Sequence, residues 1–195
     1  AENVATKFQV TRKDQDKFAF SSQEKALKAQ KENKFTNEIV NFKIKSKKAE
    51  INFNKDEHPR EGINIESLSR LKPVFKKDGT VTAGNSSGIN DGAAALTLMS
   101  SEQAEKKNLK KLVSIKSWAS CGVDPSIMGT GPIPSSKKAL DLAGWNIEDV
   151  DLFEINEAFA SQSIAVQKTL SIPKEKLNVN GGAIALGHPI GASGT

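Results

Sequence analysis

The sequence predicts an α/β layered fold, and three observations predict it. Strand-like and helix-like segments alternate through its second half. A run of small apolar residues, "SGINDGAAALTLMS" at 87–100, follows tight glycines and carries almost no charge until Glu102. The 195 residues, 37% of them apolar, are enough for one large domain or parts of two.

In chain order, Thr11 and Asp14 suit the start of a helix over 14–34, with Phe18, Ala26, Leu27 and Ala29 as a thin apolar stripe. The stretch "IVNFKIKSKKAEINF" at 39–53 alternates apolar and polar residues on either side of a basic turn, which predicts two strands. Residues 54–85 are broken by Pro59, Gly62, Pro73, Gly79 and Gly84 and are expected to be loops. Buried strands are expected at 93–99 and 112–118, and a helix over 136–143 ending at Gly144. "DVDLFEIN" (149–156) predicts a buried strand, "NEAFASQSIAVQKTL" (156–170) a helix, and "KLNVN" (176–180) a short strand running into glycines.

Composition excludes several classes. The net charge is +5, but the lysines over 7–34 mix with acids, and aromatic residues do not interleave with them as a stacking platform requires, so a nucleic-acid platform is not expected. No stretch approaches the roughly 18 apolar residues of a membrane helix. The start, AENVATKFQV, lacks the pattern of a signal peptide and an initiator Met, and the chain is expected to be an internal fragment. One cysteine, Cys121, allows no internal disulfide and fits a reducing compartment; it is expected in a buried strand.

Three segments could carry chemistry. His188 lies between Gly187 and Pro189 in a glycine-rich stretch, where Pro189 suits the first turn of a helix and the glycines let a ligand approach the backbone. Neither a Walker lysine nor G-x-G-x-x-G is present there. Asn156 closes a predicted strand and opens a predicted helix; it can cap that helix, or present its amide to a water or carbonyl. Glu157 beside it suits the helix dipole better than acid chemistry. Ser86 and Ser87 sit between glycines, in a plain turn or with a hydroxyl offered to an amide-bearing ligand.

"NEAFA" at 156–160 and "NVNGGAIALGHPIGASGT" at 178–195 resemble the signature segments of the thiolases, in particular their acetyl-CoA acetyltransferase branch. "TRKDQDKFAFSSQEKA", "DEHPREG", "LKPVFKKDGTVTAGNSSGINDGAAAL" and "GVDPSIMGTGPIP" resemble the same family in the same order, so the likeness covers essentially the whole chain. It implies the layered αβαβα thiolase fold in incomplete form. Residues 1–89 would be a loop or cover domain, 90–110 the end of the N-terminal half, and 111–195 most of the C-terminal half.

The likeness also implies Claisen condensation of two acetyl-CoA to acetoacetyl-CoA and the reverse thiolysis. In such enzymes a cysteine is the nucleophile and a second cysteine moves the methyl proton. Neither is matched here, so the isolated chain is expected to be inactive. His188 matches the activating histidine and Asn156 the water-positioning asparagine. Arg60 and Ser67 match positions at the nucleotide end of coenzyme A, and Val74 and Phe75 its adenine-side wall. Gln23, Ala83, Ser87 and Ile89 match the pantetheine stretch, and Met128, Ala158 and Phe159 the inner pocket. No metal or cofactor is implied beyond coenzyme A as substrate and product; a cytoplasmic homotetramer without nucleic-acid or membrane partners is. A longer-chain 3-ketoacyl-CoA thiolase and a non-catalytic CoA-binding module are the alternatives.

Overall fold

The computed structural model describes residues 1–45 and 49–195. Its longest element is α2, Arg12–Lys31, which follows the short α1, Glu2–Lys7. Thr11 and Asp14 form a reciprocal capping box at the start of α2, each side chain accepting the other's backbone N–H. The helix stops three residues short of the expected end. Asn33 takes a left-handed conformation (φ 59°), and the N–H groups of Asn33 and Lys34 return to the carbonyls of Gln30 and Ala29. This is a Schellman closure, with Asn in the place glycine usually holds.

The buried face of α2 is Gln15, Asp16, Ala19, Ser22, Gln23, Ala26 and Ala29, within which Gln15, Ala19, Ser22, Ala26 and Ala29 follow a 4-3-4-3 spacing. Phe18 and Leu27, placed on the stripe by the sequence, flank it half-buried. The small residues let α2 approach α6 (Ala160–Thr169) and α7 (Ala183–Leu186) closely. One core cluster joins Ala19 of α2, Leu68 of α3 (Ile65–Ser69), Ala160 and Ile184, with Phe18, Phe20 and Ile63 against it. A second gathers Val166, Leu170, Ile172 and Leu177. Each fully buried Leu, Ile or Val contributes about 1.5–3 kcal/mol relative to exposure.

The predicted strand pair at 39–53 forms. β1 (Phe42–Lys45) and β2 (Glu50–Phe53) are antiparallel, with Phe42 opposite Phe53 and Ile44 opposite Ile51. The expected basic turn falls mainly on residues 46–48, outside the described residues. Helix α4 spans Ser101–Lys106 and α5 Pro132–Ala143. Helix α5 starts four residues earlier than expected because Pro132 fits the first turn, and it closes on left-handed Gly144 (φ 69°). Short 3-10 turns lie at Pro125–Thr130, Ile147–Asp149 and Lys174–Lys176.

The predicted buried strands at 93–99, 112–118 and 149–156 are not assigned as strands. A strand needs a neighbour to take its backbone N–H and C=O groups. Among the described residues the first two meet no ladder, and Leu96, Leu98, Leu112, Val113 and Trp118 stay 66–85% exposed. The third and the expected 176–180 strand are reduced to one parallel bridge, Phe153 with Leu177. Cys121 is half-buried and lies outside any strand. No helix among the described residues is long and apolar enough to cross a membrane.

Candidate active site

Helix α6 begins at Ala160, four residues later than the sequence suggests, with Phe159 as its N-cap. Asn156 therefore does not cap it. The intervening residues are held instead against the loop at 85–89. Ala160 N–H donates to Asn85 O (2.9 Å), and Ser87 donates through both its N–H and its hydroxyl to Ala158 O (3.1 and 3.2 Å). Ser86 bridges Phe159 in antiparallel fashion. This frees Asn156, which is exposed, to extend its amide toward the glycine-rich turn.

That turn is fixed from several sides. Gly187 adopts φ +91° after α7, a conformation that favours glycine. The His188 N–H donates to Asn90 Oδ1 (3.0 Å) and more weakly to Gly88 O (3.3 Å), and His188 pairs with Ile89 in a parallel bridge. A Cβ on Gly187 would collide with the Asn90 amide, so the glycine and Asn90 fit as a pair. Beyond Pro189 the chain makes a single turn rather than the expected helix, with Ser193 N–H donating to Pro189 O (2.9 Å).

The imidazole is oriented by a short relay. The Ser193 hydroxyl donates to Pro189 O (3.1 Å), so it accepts from His188 Nδ1–H (2.8 Å). This network assigns the proton to Nδ1. The lone pair on Nε2 then faces Asn156 Nδ2, 3.2 Å away. The resulting pair offers one ring nitrogen able to take a proton and one amide able to donate to an oxygen. Proton acceptance and oxyanion stabilisation need those two groups.

Glu157 does not sit in the first turn of α6 as the helix-dipole partner that the sequence suggests. It is fully buried, and its carboxylate accepts from the Ser22 hydroxyl (2.6 Å), Asn178 Nδ2 (2.8 Å) and Ile184 N–H (3.2 Å). Gly182 packs directly on it. Burial pushes the carboxyl above its ordinary range, against those three hydrogen bonds and the charge of Lys25. The residue beside Asn156 is thus tied to α2 and to the segment leading into His188.

The other expected site residues fall into two groups. Ser87, Ile89, Ala158 and Phe159 are joined to one another or to His188 by the bonds above, and Phe75 meets Phe159 edge-on at 6.0 Å. Gln23 joins the second group: its Oε1 accepts Arg60 N–H (2.9 Å) while its Nε2 donates to Ile184 O (3.3 Å). The Arg60 residue is exposed. Ser67 closes a capping box with Asn64 at the start of α3. Val74 pairs through its N–H with Val81 O, Ala83 is exposed, and Met128 is 77% exposed on the Pro125–Thr130 turn.

Sequence reasoning missed Asn90 and Ser193, and it reads His58, beside Pro59 in a polar loop, as a residue whose loss leaves the chemical step intact. Asn90 and Ser193 sit within the quoted segments and are polar residues two to five positions from Gly88 or His188, a signal that was available. A cavity of about 890 Å³ between α2 and the hairpin and another of about 610 Å³ beside α6 are not lined by Asn156 or His188.

The chain and its fold have clear counterparts among known proteins. The family model "Thiolase, N-terminal domain" matches residues 1–102, and "Thiolase, C-terminal domain" matches residues 109–195. The chain belongs to the thiolase family, and its fold is part of the thiolase fold. Its relatives include the acetyl-CoA acetyltransferase of Rhizobium meliloti, 56% identical over 194 residues, covering 100% of this chain and 49% of that protein. The cytosolic acetyl-CoA acetyltransferase of Rattus norvegicus is 55% identical over 196 residues, again covering 49% of its own length. The crystal structure of the Bacillus anthracis acetyl-CoA acetyltransferase superposes with a TM-score of 0.92 at 51% identity, over 99% of this chain and 49% of that one. Human mitochondrial 3-ketoacyl-CoA thiolase does so with 0.93 at 47% identity, over 99% and 49%. The chain spans about half the length of the curated relatives it matches.

Proposed function

We propose that this chain supplies the base and oxyanion side of an acetyl-CoA acetyltransferase site. The observation that carries the proposal is the 3.2 Å approach of Asn156 Nδ2 to His188 Nε2, with the ring turned by Ser193. In the complete enzyme His188 takes the proton of a cysteine thiol supplied from outside these residues. A thiol of ordinary pKa, about 8.5, needs such a partner to become a nucleophilic thiolate. Asn156 and His188 then donate, directly or through a water, to the thioester oxygen as negative charge develops during condensation or thiolysis.

Coenzyme A runs from Arg60 and Ser67, past Val74 and Phe75, along Gln23, Ala83, Ser87 and Ile89, to an inner pocket at Met128, Ala158 and Phe159. The edge contact of Phe75 with Phe159 and the Gln23 link from Arg60 to Ile184 support one continuous path. Residues 1–89 act as the cover over that path, and 90–110 and 111–195 belong to the two catalytic halves. The rat and mouse relatives named as cytosolic support a cytoplasmic enzyme; a homotetramer is part of the same proposal. A 3-ketoacyl-CoA thiolase of longer chain preference is the second reading, favoured by the 0.93 TM-score to the human mitochondrial enzyme.

The test is thiolysis of acetoacetyl-CoA and of longer 3-ketoacyl-CoA substrates by a complete thiolase polypeptide that includes this chain. Activity lost in His188→Ala and Asn156→Ala supports the proposal. Full activity in both variants overturns it. The 195-residue chain alone is expected to be inactive. Turnover by it that survives Cys121→Ala would show that the chemistry lies elsewhere.

A further inference from the structure

We infer that His58 is a positioning residue that locks the loop carrying Arg60 onto the turn carrying His188. The inference rests on the functional reading above. His58 is half-buried beside Pro59, in what the sequence presents as a polar loop. Its Nδ1 lies 2.7 Å from the carbonyl oxygen of Ala185. A carbonyl only accepts, so Nδ1 carries the proton and donates. Ala185 lies in α7, three residues before His188. The opposite ring nitrogen, Nε2, fills the space where a side chain on residue 88 would begin. Gly88 is the residue whose carbonyl accepts the His188 N–H. One imidazole is therefore wedged between the two backbone segments that meet at His188.

The loop is anchored at both ends of this wedge. Asp56 Oδ1 accepts the His58 N–H (2.9 Å), and Gln30 of α2 donates to Asp56 O (2.8 Å). Two residues on, Arg60 N–H donates to Gln23, which donates in turn to Ile184 O. Two ties, to Ala185 directly and to Ile184 through Gln23, thus run from the 58–60 loop to α7. Ligand held by Arg60 would draw on the same loop that fixes the catalytic turn. Binding energy far from the reacting atoms would then be used to place His188.

The experiment compares His58→Leu and His58→Asn in the complete thiolase polypeptide. Asn can place its amide donor where Nδ1 stands, whereas Leu fills volume without donating. His58→Leu is expected to lower kcat about 10- to 100-fold, the size of effect that small misplacement of a catalytic group produces, with KM for coenzyme A little changed. His58→Asn is expected to recover most of kcat. A second readout is independent of activity. In protein labelled with ¹⁵N-histidine, the His188 Nδ1–H resonance, assigned by its loss in His188→Ala, is expected to be present in wild type and His58→Asn and lost to solvent exchange in His58→Leu. An unchanged resonance and a kcat within about 2-fold in His58→Leu would overturn the inference, as would equal loss in Leu and Asn variants. An inactive wild type would sink the functional reading, while the resonance would still decide the role of His58.

Discussion

Ser193 Oγ sits 2.8 Å from His188 Nδ1 and donates its own hydrogen bond to Pro189 O, so a residue five positions on fixes which nitrogen of the imidazole meets Asn156. The turn is self-contained: histidine, proline and serine set the tautomer without help from another element. Second partners of this kind tune a catalytic ring as a matter of course.

Ser193→Ala removes the acceptor for Nδ1–H and frees the ring to rotate. In the complete enzyme kcat for thiolysis is expected to fall about 10-fold, the size of one modest hydrogen bond. KM for coenzyme A should hold, and Ser193→Thr should retain most of the rate. Steady-state kinetics of the three proteins checks this; an unchanged kcat in Ser193→Ala would remove the serine from the relay.

His188→Ala should cost on the order of 3–4 kcal/mol in transition-state stabilisation in both acyl transfer and condensation. His188→Asn should recover part of the condensation rate, because an amide still donates to an oxygen, and less of the acyl transfer, because an amide cannot accept the thiol proton. Coenzyme A affinity, measured by calorimetry, should barely change, since Arg60, Phe75 and Ser87 are untouched.

Glu157→Ala leaves the Ser22 hydroxyl, the Asn178 amide and the Ile184 N–H without their acceptor. Urea denaturation is expected to show a loss on the order of 3 kcal/mol. The same carboxyl gives a pH signature. Desolvation raises it in the folded state above the ordinary 4.5, so the folded protein binds the extra proton. Its stabilising contribution is present below about pH 4.5 and fades as pH rises through the raised value. Stability should therefore fall more steeply with pH above 4.5 in wild type than in Glu157→Gln.

Gly181 lies on α2 with φ +84°, and a Cβ there would stand 2.7 Å from that of Ala26 and 2.8 Å from Ser22 O. Gly181→Ala is expected to cost on the order of 3 kcal/mol through left-handed strain and overlap together. Thermal unfolding would show it as a clear drop in Tm; a neutral result would mean that α2 can move away from the turn freely.

Helices α2, α5 and α6 and the hairpin were legible because their signals are local, whereas the short α1, α4 and α7 gave none that was read and α3 lies in the stretch 54–85 expected to be loops. Thr11 and Asp14 announce α2, Gly144 announces the end of α5, and Phe42 with Ile44 and Ile51 with Phe53 announce paired strands. The segments 93–99 and 112–118 read as strands because apolar patterning reports a preference for burial, while a strand also requires a neighbour to bond. His188 and Asn156 stood out by residue type and by glycine context. Their approach was not legible, since 32 positions separate them and the intervening path folds back through Glu157, Asn178 and Gly182. The role of His58 was not legible for the same reason: it acts on the backbone of a segment distant in sequence, by a hydrogen bond that no spacing encodes.

The exposed run at 112–118 ends in Trp118, whose residue is 79% exposed, while Trp145, just beyond α5, is 44% exposed. These are the chain's two tryptophans. An indole bathed in water emits at the red end of its range, and one pressed against apolar side chains emits farther to the blue. Laying a complementary strand over 112–118 would dry Trp118, while Trp145, whose N–H is tied to Leu140 O of α5, lies outside that run. The two indoles thus form an optical gauge of cover over 112–118, with one lamp that changes colour if that run is paired and a second that serves as reference.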